Sequence, residues 1–85
     1  FAMEQNYPNP FNPLTAIQFS IPVISHVKLI VYDALGRIVQ TLAEGVRTAG
    51  IHKEYFDATG LASGIYYYRL SAGNFTETKK MMLLK

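Results

Sequence analysis

Turn signals interrupt this chain about every 8–12 residues, which leaves room between them for short strands but not for helices of ordinary length. Pro22 closes the first run. Asp33-Ala34-Leu35-Gly36 marks an Asx-led turn with a glycine free to take a left-handed position. Gly45 and Gly50 bracket a second connection, Ala58 to Gly64 forms a loop, and Ala72-Gly73-Asn74 marks a last tight turn. The segments between them favour strands. Thr15 to Ile21 alternates, with Ile17, Phe19 and Ile21 on one face and Gln18 and Ser20 on the other, as a half-buried strand requires. Val27 to Tyr32 is continuously apolar and β-branched, as in a central strand, and Arg37 to Leu42 returns beside it, so that residues 26–43 form a hairpin. His52 to Asp57, Ile65 to Ser71 and Phe75 to Leu84 supply further strands. The one helix candidate, Ile38 to Val46, begins with β-branched residues and lies between turns, which favours a strand. The reading is all-β, with about seven antiparallel strands in two sheets.

Gln5 to Pro13 has a different character, since three of the chain's four prolines fall in it. Each proline fixes φ and biases its predecessor toward extended geometry. Residues 1–14 are therefore expected to form an ordered, proline-rich lead-in packed on a sandwich of residues 15–85, within a single domain. The opening Phe1-Ala2-Met3-Glu4 lacks the basic and apolar regions of a leader peptide and reads as the start of a piece of something longer.

Composition removes several function classes. A hydrophobic fraction of 49% against 16% charged residues describes a folded core rather than a disordered tail. With no cysteine there is no disulfide framework, cysteine zinc site or thiol nucleophile, and with two histidines neither a metal nor a cofactor is expected. The net charge of +2 is unevenly placed: residues 1–78 carry Lys28, Arg37, Arg47, Lys53 and Arg69 against six acids, while Lys79, Lys80 and Lys85 close the chain with no acid. Three lysines at one end do not make the extended basic footprint of a nucleic-acid binder. No apolar run is long enough to span a membrane.

No catalytic residue emerges. Asp33 and Asp57 each begin a turn, where Asx side chains cap backbone amides. His26 and His52 stand at strand starts without partners at metal-ligand spacing. Ser63 lacks the Gly-x-Ser-x-Gly frame and the following helix of a nucleophile elbow. Tyr66 and Tyr68 share a face with Leu70, and Tyr67 shares the opposite face with Ile65. A tyrosine just inside a late strand suits the core or a tyrosine corner, whereas exposed tyrosines would make a sugar-stacking platform. Lys79-Lys80-Met81-Met82-Leu83-Leu84-Lys85 likewise has two readings. It is an edge strand guarded by lysines against aggregation, or a terminal address that adds to a receptor's sheet through its backbone.

Taken in order, Gln5-Asn6-Tyr7-Pro8-Asn9-Pro10-Phe11-Asn12-Pro13, Val31 to Arg37, Ala49 to His52, Leu61 to Leu70 and Lys79 to Lys85 resemble a type IX secretion C-terminal sorting domain of type A. Such domains end large exported proteins of Bacteroidetes and related bacteria. The middle motifs are shared with the related Ig-like domain of the flagellar hook-assembly scaffold protein. Phe56 stands where that family usually has tryptophan, and Glu54 where an apolar inward residue is more usual. The resemblance implies an Ig-like antiparallel β-sandwich that is not an enzyme. Its partners would be the type IX translocon, a sortase-like protease and a cargo domain N-terminal to it, with edge strands that leave homo-oligomers open. The cargo would cross the periplasm to the outer-membrane surface or the medium. The family's motifs fall on Pro8, Pro10, Asn12 and Pro13, on Gly64 and Tyr66, and on the strand Lys79, Lys80, Met81, Met82, Leu83, Leu84 and Lys85, the last expected to be what the translocon reads. The other readings of such a module are a passive Ig-like spacer or a carbohydrate-binding accessory of an extracellular hydrolase.

Overall fold

A computed structural model describes all residues, 1–85, as seven strands: β1 (Ala2–Met3), β2 (Leu14–Ile21), β3 (Ser25–Asp33), β4 (Ile38–Arg47), β5 (Gly50–Asp57), β6 (Gly64–Ala72) and β7 (Phe75–Leu83). All pair antiparallel, in a three-stranded sheet of order β1-β2-β5 and a four-stranded sheet of order β4-β3-β6-β7. In the lettering of immunoglobulin-like sandwiches this is A-B-E packed on C′-C-F-G. The helix candidate is a strand, as its β-branched start favours.

Alternation decides which side chains meet between the sheets. Thr15, Ile17, Phe19 and Ile21 of β2 face Val27, Leu29 and Val31 of β3 and Tyr66, Tyr68, Leu70 and Ala72 of β6 across the core. Met81 and Leu83 extend that core along β7. Met3 and Phe11, from the first fourteen residues, are buried in the same cluster of 17 residues. Each fully buried side chain of this size is worth about 1.5–3 kcal/mol of transfer free energy, so the lead-in contributes to the core itself. The β6–β7 hairpin closes through Gly73 at φ +57°, between the paired Ala72 and Phe75, a two-residue turn whose first position needs positive φ.

Two features differ from the reading of the sequence. The strand β1 has only two residues, too few to show a periodicity, and it forms because Met3 pairs opposite Phe19 with its side chain in the core. The connection bracketed by Gly45 and Gly50 is shorter than their positions suggest. Here β4 continues through Gly45, which pairs with Val27, and only Thr48 and Ala49 separate it from β5. Ladder pairing outweighs the local turn preference of that glycine. Glu54 does sit on the inward-facing side of β5, with His52 and Phe56, and meets Arg47 at 2.9 Å. That ion pair lies where the free edges of β4 and β5 approach each other.

The tyrosine run divides by parity. Tyr66 Oη donates to the carbonyl of Ala62 four residues upstream at 2.7 Å, the geometry of a tyrosine corner. Tyr68 lies wholly in the core, where its hydroxyl accepts from Asn6 N at 2.7 Å and donates to Glu4 O at 2.9 Å. It thereby fastens the start of the chain to β6. Burial pushes the Tyr68 phenol from 10.0 to about 12. A raised phenol favours its neutral form in the fold, so the stability it carries is intact below about pH 10 and is lost as pH rises toward 12. Replacing Tyr68 with Phe orphans a buried amide and a carbonyl, and denaturant unfolding at neutral pH is expected to show a loss of about 1–3 kcal/mol. The same variant should lose less stability than the parent between pH 10 and 12.

Candidate recognition surface

An outer strand of a sheet presents unpaired amides and carbonyls along one side. In β7 the odd residues pair through their backbones with β6, and the even residues turn theirs outward. The lead-in occupies the C-terminal half of that edge. Phe11 N donates to Met82 O and Leu84 N donates to Phe11 O, each at 3.0 Å, which makes a parallel bridge between Phe11 and Leu83. Met82 N donates to Asn9 Oδ1 at 3.0 Å, and Gln5 Nε2 donates to Lys80 O at 2.8 Å. None of these bonds reaches Thr76 or Thr78.

The other end of the lead-in holds the opposite sheet. Tyr7 and Ala16 exchange two backbone hydrogen bonds at 2.9 Å, and Glu4 N donates to Gln18 O at 2.8 Å. Between the two anchor points Asn6 is buried, with Nδ2 donating to Thr15 Oγ1 at 3.0 Å and to Pro8 O at 3.1 Å. Thr15 Oγ1 in turn donates to Pro8 O at 2.9 Å. No buried side-chain nitrogen or oxygen is left without a partner. The ring of Phe11 packs against Phe56, with centroids 5.9 Å apart. Phe56 is fully buried and serves as an aromatic anchor of the core.

The sequence motifs can now be placed residue by residue. Pro8 supplies the doubly used carbonyl just described. Pro13 O accepts from Ala58 N at 2.9 Å, tying the lead-in to the loop after β5, while Asn12 is exposed. Gly64 opens β6 at φ +146°, a conformation that disfavours any side chain, and pairs with Leu83. Tyr66 makes the corner and pairs with Met81. Pro10 joins Asn9, Ile65, Lys80, Met81 and Met82 around a shallow cavity of about 200 Å³. Motifs far apart in sequence thus meet along one strand.

Within the terminal run the two faces differ. Met81 and Leu83 are in the core, and Lys79 is half-buried with its ammonium 3.4 Å from Glu77. Lys80, Met82, Leu84 and Lys85 are exposed, and no carboxylate lies within ion-pair distance of Lys80 or Lys85. Lys85 N donates to Ser63 Oγ at 3.1 Å, so the loop serine holds the chain end. The docking of the lead-in on β7 was not visible in the sequence. Its one trace there was Phe11, a large apolar residue between prolines that needs a place to be buried.

The remaining polar residues are engaged locally. The Asp33 carboxylate accepts from Arg37 N and Leu35 N at 2.9 Å and from Arg37 Nε at 2.8 Å, and the backbone bond from Arg37 leads in holding it below the usual carboxylate range. Asp57 is lowered by the Thr59 hydroxyl at 2.6 Å and the Thr59 amide at 3.0 Å. Both act as turn caps. His52 stacks on Phe19 with centroids 5.4 Å apart and meets Thr48 O at 2.8 Å, and His26 is exposed.

A family model described as a secretion system C-terminal sorting domain matches residues 5–84. The chain belongs to that family. No curated protein and no solved structure matches it. The match begins at Gln5, the first residue to reach β7, and ends at Leu84, whose amide closes the bridge to Phe11. As a sorting domain of type IX secretion it serves export through the periplasm to the cell surface or extracellular space, and sorting domains are in general non-catalytic.

If the lead-in is part of the cooperative unit, Phe11→Ala should cost about 3–5 kcal/mol, as large-to-small core substitutions do. Asn9→Ala, which removes one exposed bond to Met82, should cost about 0.5–1.5 kcal/mol. Denaturant unfolding should show a single transition shifted in both variants. A separate early phase for the lead-in would contradict this.

Proposed function

We propose that the sorting domain is read as a folded, discontinuous surface in which the exposed face of β7 and the docked lead-in act together. The translocon would contact Lys80, Met82, Leu84 and Lys85 beside Pro10, with the lysines orienting the approach and the apolar side chains entering the contact. Lys79, Met81 and Leu83 hold that surface in place from the core side. Pro8, Pro13, Gly64 and Tyr66 act in the same scheme by fixing the lead-in and the strand paired with β7, and Asn12 stands exposed on the lead-in beside them. The cargo would precede the domain in the parent chain and be released or attached at the surface after a sortase-like protease removes the domain.

The observation that carries this reading is the occupied edge of β7. Addition of a receptor strand at residues 80–84 would require Gln5, Asn9 and Phe11 to let go, whereas the side chains of Asn9 and Pro10 and those of Lys80, Met82 and Leu84 are exposed together on the folded domain. A large buried cost therefore attaches to backbone pairing there and none to surface recognition.

The test is export of a periplasm-targeted fluorescent reporter fused to residues 1–85, in a host with type IX machinery. The fusion is expected in the medium or at the surface. A Lys80→Glu, Met82→Ser double variant should remain periplasmic while its purified domain still unfolds cooperatively, since both side chains are exposed. Wild-type export of that folded variant would contradict the surface reading. Retention of the parent fusion in a host that exports its own cargo would favour the spacer.

A further inference from the structure

The outer face of the four-stranded sheet carries a second cluster with a chemistry of its own. Tyr32, Tyr67 and Lys80 lie in one row across β3, β6 and β7, and Arg69 pairs with Thr78 in the next. Tyr32, Gly36, Tyr67, Arg69 and Thr78 line an open concavity of about 230 Å³. The Arg69 guanidinium stands 4.9 Å from the centroid of the Tyr32 ring, and its Nη2 donates to Tyr32 Oη at 2.6 Å. A guanidinium has five N–H donors in a rigid fork, so this contact orients the fork and leaves most of it unused.

Charge on the face is one-sided. No carboxylate lies within ion-pair distance of Arg69 or Lys80. Glu44, further along the sheet, is 3.8 Å from Lys28, and the Asp33 carboxylate at the neighbouring turn is already taken up by Arg37 and two backbone amides. Two unneutralised cations thus flank an aromatic wall, with Tyr67 still 36% exposed, and the Thr78 hydroxyl completes the rim. Ile30, paired with Arg69 on the same face, is buried but lies outside the main core cluster.

We propose that this concavity binds a pyranose ring bearing an anionic group, either a uronate carboxylate or a sugar phosphate. The Arg69 fork and Lys80 take the anion, the apolar face of the ring lies against Tyr67, and Thr78 bonds a ring hydroxyl. The cavity is smaller than the about 300–1,000 Å³ that encloses a drug-sized ligand, which suits one ring of a chain running across the sheet. A stable acidic protein partner would bury about 1,200 Å² or more, far beyond the single concavity that these residues line. The site goes beyond the sorting role and turns on Arg69, which that role does not use.

The test is an amide-resolved NMR titration of the 85-residue chain with a short oligogalacturonate, mannose 6-phosphate, a neutral galactose oligomer, inorganic phosphate and a glutamate-rich peptide. Saturable shifts centred on Tyr32, Tyr67, Arg69 and Thr78 are expected with the uronate, the sugar phosphate or both, and the pair identifies the source of the anion. Arg69→Gln should weaken that binding at least about tenfold, as loss of a charge-assisted bond does, and Arg69→Lys should weaken it less. Lys80→Gln, at an exposed position, provides a second variant if Arg69→Gln unfolds, and should weaken binding and its salt dependence. Equal binding of the neutral oligomer, of inorganic phosphate or of the peptide would overturn the proposal, as would the absence of saturable shifts at these residues with both acidic sugars.

Discussion

The structure depends on how the last strand's open edge is satisfied. The last strand of this sandwich stands at the edge of its sheet, with one row of backbone groups turned away from β6, and such a row pairs readily with other chains. Here the first residues of the chain meet the last ones. Phe11 supplies both an amide and a carbonyl to β7 and buries its ring against Phe56, while Gln5 and Asn9 take further groups with their side chains. The bond count is small, but the ring burial makes it cooperative with the core. An exposed sheet edge with no such anchor would be open to any strand in the periplasm.

The two sides of the sandwich are closed by different means. On the side of β1 and β7, the lead-in crosses from one sheet to the other, fixed midway by the buried Asn6–Thr15–Pro8 cluster and the Tyr68 hydroxyl. On the side of β4 and β5, a two-residue connection and the Arg47–Glu54 pair hold the sheets together. Because proline segments carry few amide donors, the lead-in can run along a sheet edge without presenting a new complete edge of its own. Sequence composition, edge protection and presentation of the Lys80–Met82–Leu84 face are thus parts of one arrangement.

Local pattern made most of the sandwich legible. The alternation of Ile17, Phe19 and Ile21, the Asp33 turn, the tyrosine parity and the two-residue hairpin at Gly73 all follow from interactions within a few residues. The corner made by Tyr66 was one of the options its position allowed. What stayed hidden rests on contacts between the chain's two ends, such as Gln5 with Lys80 and Asn9 with Met82, which leave no periodic trace. Gly45 shows the converse error. Its turn preference is real, yet pairing with Val27 holds it inside β4. Likewise Arg69 and Tyr32 converge only because β3 and β6 are neighbours in the sheet, not in the sequence.

Native-state hydrogen exchange at four amides of β7 tests the central claim most directly. Thr76, Thr78, Met82 and Leu84 all turn their amides away from β6, but only Met82 and Leu84 have a lead-in partner. The account predicts that the amides of Met82 and Leu84 exchange orders of magnitude more slowly than those of Thr76 and Thr78, near the rate set by global unfolding. Equally rapid exchange at all four would show that the lead-in does not hold the edge, and would contradict the account.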